Sequence, residues 1–160
     1  MLERVLARQV LEIAPRLNRW LARHLRQVSE ASNLSMPQFG VLLFIKHHGG
    51  CAQSDLVQWR GVTAATMSRT IDALVDRRWL VRQHAPGDRR RVLLHLSPEG
   101  ERYVAHMQDQ MEVALALDLQ AVTAADQAEL GACLSRLAAL LQNEASPCGR
   151  RDGPDGAGDT

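Results

Sequence analysis

In one short segment of this sequence, the hydrophobic pattern switches from helical spacing to alternation. In residues 91–96, Val92, Leu94 and Leu96 alternate with Arg91, Leu93 and His95, and residues 80–84 (LVRQH) can form a second strand before Pro86-Gly87. This pattern predicts a β-hairpin with a loop of several residues. On both sides of the segment, apolar residues recur every three or four positions, as they do in amphipathic helices. The chain is therefore expected to be mostly α-helical, with a single small β-hairpin.

Capping residues and apolar spacing predict six helices outside the hairpin. Ser35 opens a capping box, and Thr63 is placed to cap the fourth helix. Pro15 is expected to break or kink a helical stretch that begins near the N-terminus. The fourth helix is expected to reach Arg78, with the aliphatic stem of that side chain facing the core. The predicted helices cover residues 16–29, 36–46, 53–59, 64–78, 98–120 and the chain from 124 onward.

Length and composition favour a single globular domain. The chain has 160 residues, of which 46% are hydrophobic and 23% charged, as is ordinary for a domain with its own core. It has no run of about 18 apolar residues that would span a membrane, and its charged N-terminus lacks a signal-peptide block. Three widely spaced cysteines without a CxxC pair argue against structural disulfides or a zinc cage. We expect a cytoplasmic protein without metal or cofactor.

Charge is distributed unevenly, although the whole chain has a formal net charge of only +1. Residues 60–95 contain eight arginines and three aspartates, whereas residues 96–145 contain two arginines and eight acidic residues. The electrostatic footprint is therefore local, with one basic end and one acidic end.

The basic segment contains a candidate helix-turn-helix. Its two predicted helices, at 53–59 and 64–78, are joined by a tight turn with Gly61. Opposite the apolar face, the second helix carries small, hydroxyl-bearing and cationic side chains, as a DNA-reading helix requires. The residues of this outer face are Ala65, Thr66, Arg69, Ala73 and Asp76. A helix-turn-helix followed by an arginine-rich hairpin is a winged-helix arrangement, with a solvated helix face as the alternative interpretation.

The run from Val62 to Gly100 resembles the recognition helix and wing of the MarR family of winged-helix transcription regulators. The matching residues are Ser68, Arg69, Asp72, Leu74, Leu80, Val81, Arg82, Asp88, Arg90, Leu94-His95-Leu96-Ser97 and Gly100. Trp79 departs from the glycine-plus-aliphatic pair that is usual near the helix end, and Trp59 occupies a usually aliphatic position. Both departures are interpreted as packing changes, and the resemblance extends over residues 5–144.

This resemblance implies a homodimer that binds a pseudo-palindromic operator in double-stranded DNA. The implied regulator is a repressor that a small aromatic or phenolic anion releases from DNA. The resemblance also implies a division of the chain into dimerisation regions at 1–34 and 98–144 and a winged-helix lobe at 35–97. Within this lobe, the recognition helix is expected at about 63–78 and the wing at about 80–96. Residues 145–160 are rich in glycine, proline and aspartate and are expected to form a disordered tail.

The resemblance also assigns roles to the candidate DNA-binding residues. Thr63, Thr66, Ser68 and Arg69 fall where the family's helix meets bases and phosphates in the major groove, and Ala65 shares that surface. In the wing, Arg90 matches an arginine that enters the minor groove and Asp88 matches the aspartate that orients it. We expect Arg89 to meet a phosphate.

An effector pocket is implied between the dimer helices and the DNA-binding lobe. Arg16, Trp20 and His24 share one helix face, where they could hold an anion. Met36, Phe39 and Leu43 would complete the lining. Ordinary core packing is the alternative for Trp20, Met36 and Phe39.

Three other functions have less support from the sequence. Cys51, near two histidines, could act as a thiol redox sensor, although an inert thiol is the simpler interpretation. A winged-helix protein-interaction module without DNA binding would carry acidic or bulky residues where this chain has Thr66 and Arg69. An enzyme has the least support, since the sequence contains no nucleophile elbow, phosphate loop, dinucleotide fingerprint or HExxH motif.

Overall fold

The computed structural model describes residues 1–29, 32–85 and 88–142, without the side chains of residues 88–90 and 142. Within these ranges it contains six helices and a two-stranded antiparallel sheet. The elements are α1 (Leu2–Val28), α2 (Met36–His48), α3 (Gln53–Arg60), α4 (Ala64–Asp76), β1 (Leu80–Ala85), β2 (Asp88–Leu96), α5 (Pro98–Leu119) and α6 (Ala124–Gln142). The predicted fold class is confirmed. The tail predicted to be disordered, residues 145–160, lies outside the described residues.

Three helices begin at side-chain caps, of which those at Ser35 and Thr63 were predicted from the sequence. The hydroxyl of Ser35 accepts the backbone N–H of Gln38, whose side chain in turn accepts the N–H of Ser35. Thr63 caps α4 and Ser97 caps α5 through N–H groups in the first helical turn. Each cap satisfies a donor that has no partner inside the helix, so local sequence determines where these helices start.

Helix α1 differs from the prediction because it continues through Pro15. Proline has no amide N–H and so removes one hydrogen bond to the preceding turn. In a helix of 27 residues, the bonds on both sides of that position remain and can support it. Of the two expected outcomes at Pro15, a break is therefore wrong and a kink stays a prediction, and one helix replaces two shorter segments.

The end of α4 also differs from the prediction. The helix ends at Asp76, and Arg78 has a left-handed backbone with a φ of 60°. This conformation turns the chain toward β1 and leaves Arg78 exposed, so the prediction that its stem faces the core is wrong. Trp79 is the buried residue at this end of the helix, with 8% of its surface exposed.

The core lies where α2, α4, α5 and the hairpin meet. Leu42, Leu74 and Val104 are completely buried there. The backbone of Cys51 forms an isolated bridge to Leu94 of β2, with N–H to oxygen distances of 3.1 and 2.8 Å. The base of the hairpin is therefore joined by backbone hydrogen bonds to the segment that precedes α3.

The two terminal helices expose many large apolar side chains. On α1 these are Leu2, Val5, Leu6, Val10, Leu11, Ile13 and Leu17, and on α6 they are Leu130, Leu134, Leu137, Leu140 and Leu141. None of the described helices is both long enough and apolar enough to cross a membrane. Contiguous apolar surface on a folded protein marks an interaction site, and here it lies in the segments predicted to form the dimer.

Candidate nucleic-acid interface

Helix α4 presents the predicted outer face to solvent. Ala65, Thr66 and Arg69 are exposed in its first two turns, whereas Met67 and Ile71 are buried in the core. The start of a helix also carries the positive end of the helix dipole, which favours phosphate oxygens. A small, hydroxyl-bearing and cationic surface at this end can enter the major groove and bond to base edges.

The hydroxyl groups near the start of α4 are oriented by contacts within the protein. Thr63 Oγ1 accepts the N–H of Thr66 at 3.2 Å and lies 2.9 Å from Thr66 Oγ1, so one of the two hydroxyls donates to the other. The hydroxyl of Ser68, which is half-buried, donates to Oδ2 of Asp72 at 3.3 Å. Thr63 is therefore a helix cap, as predicted, and a hydroxyl in one such bond can still make a second.

An ion pair joins α4 to the hairpin. Nη2 of Arg82, on β1, lies 2.5 Å from Oδ1 of Asp72. Both side chains are about half exposed, so the pair contributes only about 0–1 kcal/mol to stability. Its structural effect is to tie the direction of the hairpin to that of the helix. Both residues belong to the family pattern in the sequence, but their contact could not be predicted from it.

The predicted wing residues Asp88, Arg89 and Arg90 form the start of β2. Their side chains lie outside the described residues, so their roles stay predictions. The backbone pairs Ala85 with Asp88, and the register shifts between His84 and Ala85. An irregularity of this kind increases the local twist of a hairpin.

An aromatic stack fixes the C-terminal end of α4. The ring of Trp79 stacks on Tyr103 of α5 at 3.8 Å, and the guanidinium of Arg77 lies 5.0 Å from the Trp79 ring. Arg77 also donates to the backbone oxygen of Ser32, whose hydroxyl lies 2.5 Å from the hydroxyl of Tyr103. Trp79 thus acts in packing, as interpreted from the sequence. Trp59, the other departure, packs on Phe44 at 4.5 Å and is 40% exposed.

The six residues predicted for an effector pocket fall into two groups. Phe39 belongs to the buried core, and Met36 and Leu43 pack against it. The other three lie on α1, where Arg16 is exposed, Trp20 is half-buried and His24 is buried. The structure therefore separates the three apolar residues, which belong to the core, from the three residues of α1. Two of those three, Trp20 and His24, contact a residue of α5.

That residue is Asp118, near the end of α5. Its Oδ2 accepts the indole N–H of Trp20 at 2.6 Å and lies 3.0 Å from Nε2 of His24 and 3.7 Å from Nη2 of Arg23. Asp118 was not among the predicted site residues, although it is the single charged residue between Glu112 and Asp126 in an otherwise largely apolar run.

The contacts of Asp118 determine its charge state. The hydrogen bond from Trp20, followed by that from His24, lowers the pKa of Asp118. Because these contacts favour the ionised form, their contribution to stability is present at neutral pH and is lost only as the pH falls through the lowered pKa. An ionised carboxylate can only accept hydrogen bonds, so Nε2 of His24 must carry the proton between them.

Three surface cavities in the described part of the chain are lined by residues other than those predicted for the effector pocket. The first, of about 380 Å³, lies between α2, β2 and α5 beside Lys46 and His95. The second, of about 630 Å³, lies between α4, β1 and α5 beside Arg82 and Arg102. The third, of about 410 Å³, lies between α5 and α6. None of these three cavities is lined by a residue predicted for the effector pocket.

Burial of Cys51 argues against the redox alternative. Only 1% of this residue is exposed, whereas redox-sensing thiols are solvent-accessible. Among the described residues, no group of three or more histidine, cysteine, aspartate or glutamate side chains could hold a metal ion. Among the described side chains, the exposed Ala65, Thr66 and Arg69 of α4 form a surface whose chemistry suits a nucleic acid.

Comparison with known proteins agrees with this geometry. A model described as the MarR family matches residues 32–91. The transcriptional regulator HosA of Escherichia coli O111:H- is 32% identical over 76 residues, which form 48% of this chain and 56% of HosA. This match therefore covers about half of each protein.

Solved structures extend the likeness to most of the chain. A cysteine-to-serine mutant of MarR from E. coli has a TM-score of 0.71 at 22% identity, over 82% of this chain and 95% of that protein. The same mutant in complex with operator DNA has a TM-score of 0.62. BpsR of Bordetella bronchiseptica, solved to explain regulation of its DNA binding by 6-hydroxynicotinic acid, has a TM-score of 0.61 at 26% identity, over 81% of this chain and 92% of BpsR. Residues 32–91 of this chain therefore match the MarR family model, and most of the chain shares the winged-helix fold of MarR proteins that are transcriptional regulators.

Proposed function

We propose that this chain is a homodimeric repressor that binds operator DNA and is released from it by a small aromatic or phenolic anion. The observation that carries the proposal is the exposed face of α4 with Ala65, Thr66 and Arg69, which precedes a hairpin with three consecutive arginines. MarR, solved with operator DNA, shares the fold. A protein-interaction module without DNA binding would present bulky or acidic groups at this face, so the cationic surface disfavours that alternative.

Each side chain of the proposed interface has a distinct task. Arg69 can bond a guanine edge in two places, and Thr66 can contact a base or a phosphate. Arg90 would enter the narrow minor groove, where the negative potential attracts an arginine, with Asp88 orienting it. Arg89 would bond a phosphate, which positions the wing without reading sequence.

Binding to the region upstream of the protein's own gene tests this proposal. We expect Arg69→Ala and Arg90→Ala each to weaken binding in a gel shift by about 1–3 kcal/mol, since each removes a groove or phosphate contact. Loss of a phosphate contact should also make the salt dependence less steep. Arg136→Ala, on exposed α6, is the matched control and should bind like wild type. Wild-type affinity in both interface variants would contradict the docking proposed here.

The proposal of a homodimer is supported by the apolar surface of α1 and α6. Leu130, Leu134, Leu137 and Leu141 recur at helical spacing on α6 and are between 37% and 57% exposed. A second copy of the chain could cover this face through a twofold axis, which buries the same residues twice.

A charge within this face should weaken the dimer strongly. We expect Leu134→Asp to raise the dimer dissociation constant about 100-fold or more, because two unpaired carboxylates would be buried across the interface. Ala132→Asp adds the same charge on the opposite side of α6 and is the control. Sedimentation velocity over a dilution series measures both. A dimer equally stable in the two variants would place the interface elsewhere.

A further inference from the structure

We propose that the cavity between α4, β1 and α5 is a binding site for a phosphate group, held by Arg78, Arg82 and Arg102. It lies toward the opposite end of α4 from Thr66 and Arg69, so it is distinct from the proposed surface for base contacts. The inference goes beyond the proposed function, in which this cavity has no part. The phosphate belongs either to a free phosphorylated small molecule or to the backbone of bound DNA, and the experiments below separate these sources.

The chemistry of the cavity lining matches a phosphate. The cavity has a volume of about 630 Å³, and its apolar lining includes Val75 and Leu80. Its three guanidinium groups come from three separate parts of the fold, since Arg78 follows α4, Arg82 lies on β1 and Arg102 lies on α5. A guanidinium matches the geometry of phosphate oxygens, often through two parallel bonds. A phosphate group has more oxygens than a carboxylate, so cations from several directions can bond it together.

Two of these three arginines have charges that the protein does not use. Among the described residues, neither Arg78 nor Arg102 forms an ion pair, and both are exposed. Arg82 bonds Asp72 through Nη2 and keeps further N–H groups that can donate. Glu99 is the acidic residue of the lining, and within the described part of the chain no ion pair joins it to the three arginines. The cations of Arg78 and Arg102 therefore remain available to an anion.

The backbone at Arg78 gives an independent reason to assign a role to its side chain. Its φ of 60° lies in the left-handed region, where glycine is the usual residue after a helix. Asn33 is the other described non-glycine residue with a positive φ, and asparagine tolerates that region better than arginine.

The fold itself uses only the backbone of residue 78. The N–H of Arg78 donates to the oxygen of Val75, and its oxygen accepts the hydroxyl of Ser97. Glycine would keep both bonds without strain. Strained residues persist where they bind a ligand, so a side chain that the fold does not need is explained by an external partner.

Replacing Arg78 by glycine separates stability from binding, because it relieves the backbone and removes the guanidinium. We expect Arg78→Gly to raise the Tm of the DNA-free protein by about 1–4 °C. Millimolar pyrophosphate should raise the Tm of the wild type by about 3 °C over sodium chloride of equal ionic strength. Arg78→Gly and Arg102→Ala should each lose at least about half of that gain.

Arg69→Ala is the control, since it removes an arginine from the proposed DNA-binding face and should keep the full gain. A gain that Arg78→Gly retains would overturn the inference. So would an equal loss in Arg69→Ala, because phosphate would then bind the face of α4 that is proposed to read DNA. A lower Tm of Arg78→Gly in chloride alone would show that the side chain supports the fold, and would overturn it as well.

Gel shifts with operator DNA identify the source of the phosphate. If the cavity takes a DNA phosphate, Arg78→Gly should weaken binding about tenfold and reduce the salt slope by about 0.9. If it takes a free ligand, Arg78→Gly should bind the operator like wild type. The thermal measurements need no DNA, so a chain that passes them and fails to bind its operator would refute the proposed function and retain the phosphate site.

Discussion

Replacing Leu74 by alanine is expected to lower the free energy of unfolding by about 2–5 kcal/mol. Leu74 is completely buried on the inner face of α4, where the truncated side chain would leave a cavity as well as lose apolar contact. The same face holds Ile71 and Met67, so the core fixes the angle at which the outer face of α4 would meet DNA in the proposed complex. The substitution is therefore expected to loosen the orientation of the outer face of α4 as well as to lower stability.

Urea denaturation measures this effect, and an exposed position on the same helix supplies the control. Asp76→Ala removes a charge from the exposed last turn of α4 and should change stability by no more than about 0.5 kcal/mol. If Leu74→Ala were as mild as Asp76→Ala, α4 would not be anchored in the core as described.

The Gly100→Ala substitution is expected to lower the free energy of unfolding by about 3 kcal/mol, because the added methyl group overpacks the core instead of leaving a cavity. A Cβ on Gly100 would lie 2.0 Å from the backbone oxygen of Trp79 and 2.8 Å from its carbonyl carbon. Backbone on both sides leaves no flexible side chain to move, so α5 and the start of β1 would have to separate. Ser97, which caps α5 and donates its backbone N–H to the same oxygen of Trp79, would lose its alignment.

A second helical glycine provides the matched control for this variant. Gly131, on α6, has nothing within 4 Å of a built Cβ, so Gly131→Ala should stabilise the chain by about 0.5–1 kcal/mol through helix propensity alone. Thermal unfolding of both variants measures the contrast. Equal effects of the two substitutions would show that the contact between Gly100 and Trp79 does not constrain the fold.

The structure explains why the family pattern has a glycine at position 100. The sequence identified Gly100 by resemblance and gave no cause for a glycine in the first turn of a helix. The structure supplies the cause, because the backbone of residue 79 approaches α5 so closely that no side chain fits. Arg82 is similar, because its ion pair with Asp72 depends on the position of the hairpin beside α4.

Local sequence determined most of the secondary structure of this protein. Caps at Ser35 and Thr63 and the alternation in residues 91–96 predicted where elements start and which period they have, because these effects act within a few residues. The outer face of α4 was predicted for the same reason, since helical geometry alone places Thr66 and Arg69 opposite Ile71.

Tertiary structure decided which contacts form between residues that lie far apart in the sequence. The turn at Arg78, the stack of Trp79 on Tyr103 and the carboxylate of Asp118 beside Trp20 depend on which helices pack together. Spacing within one helix cannot reveal a partner about a hundred residues away, so the sequence indicated an anion site on α1 and only the packing of α5 placed an anion there. The sequence determined the donors, and the fold determined what they bind.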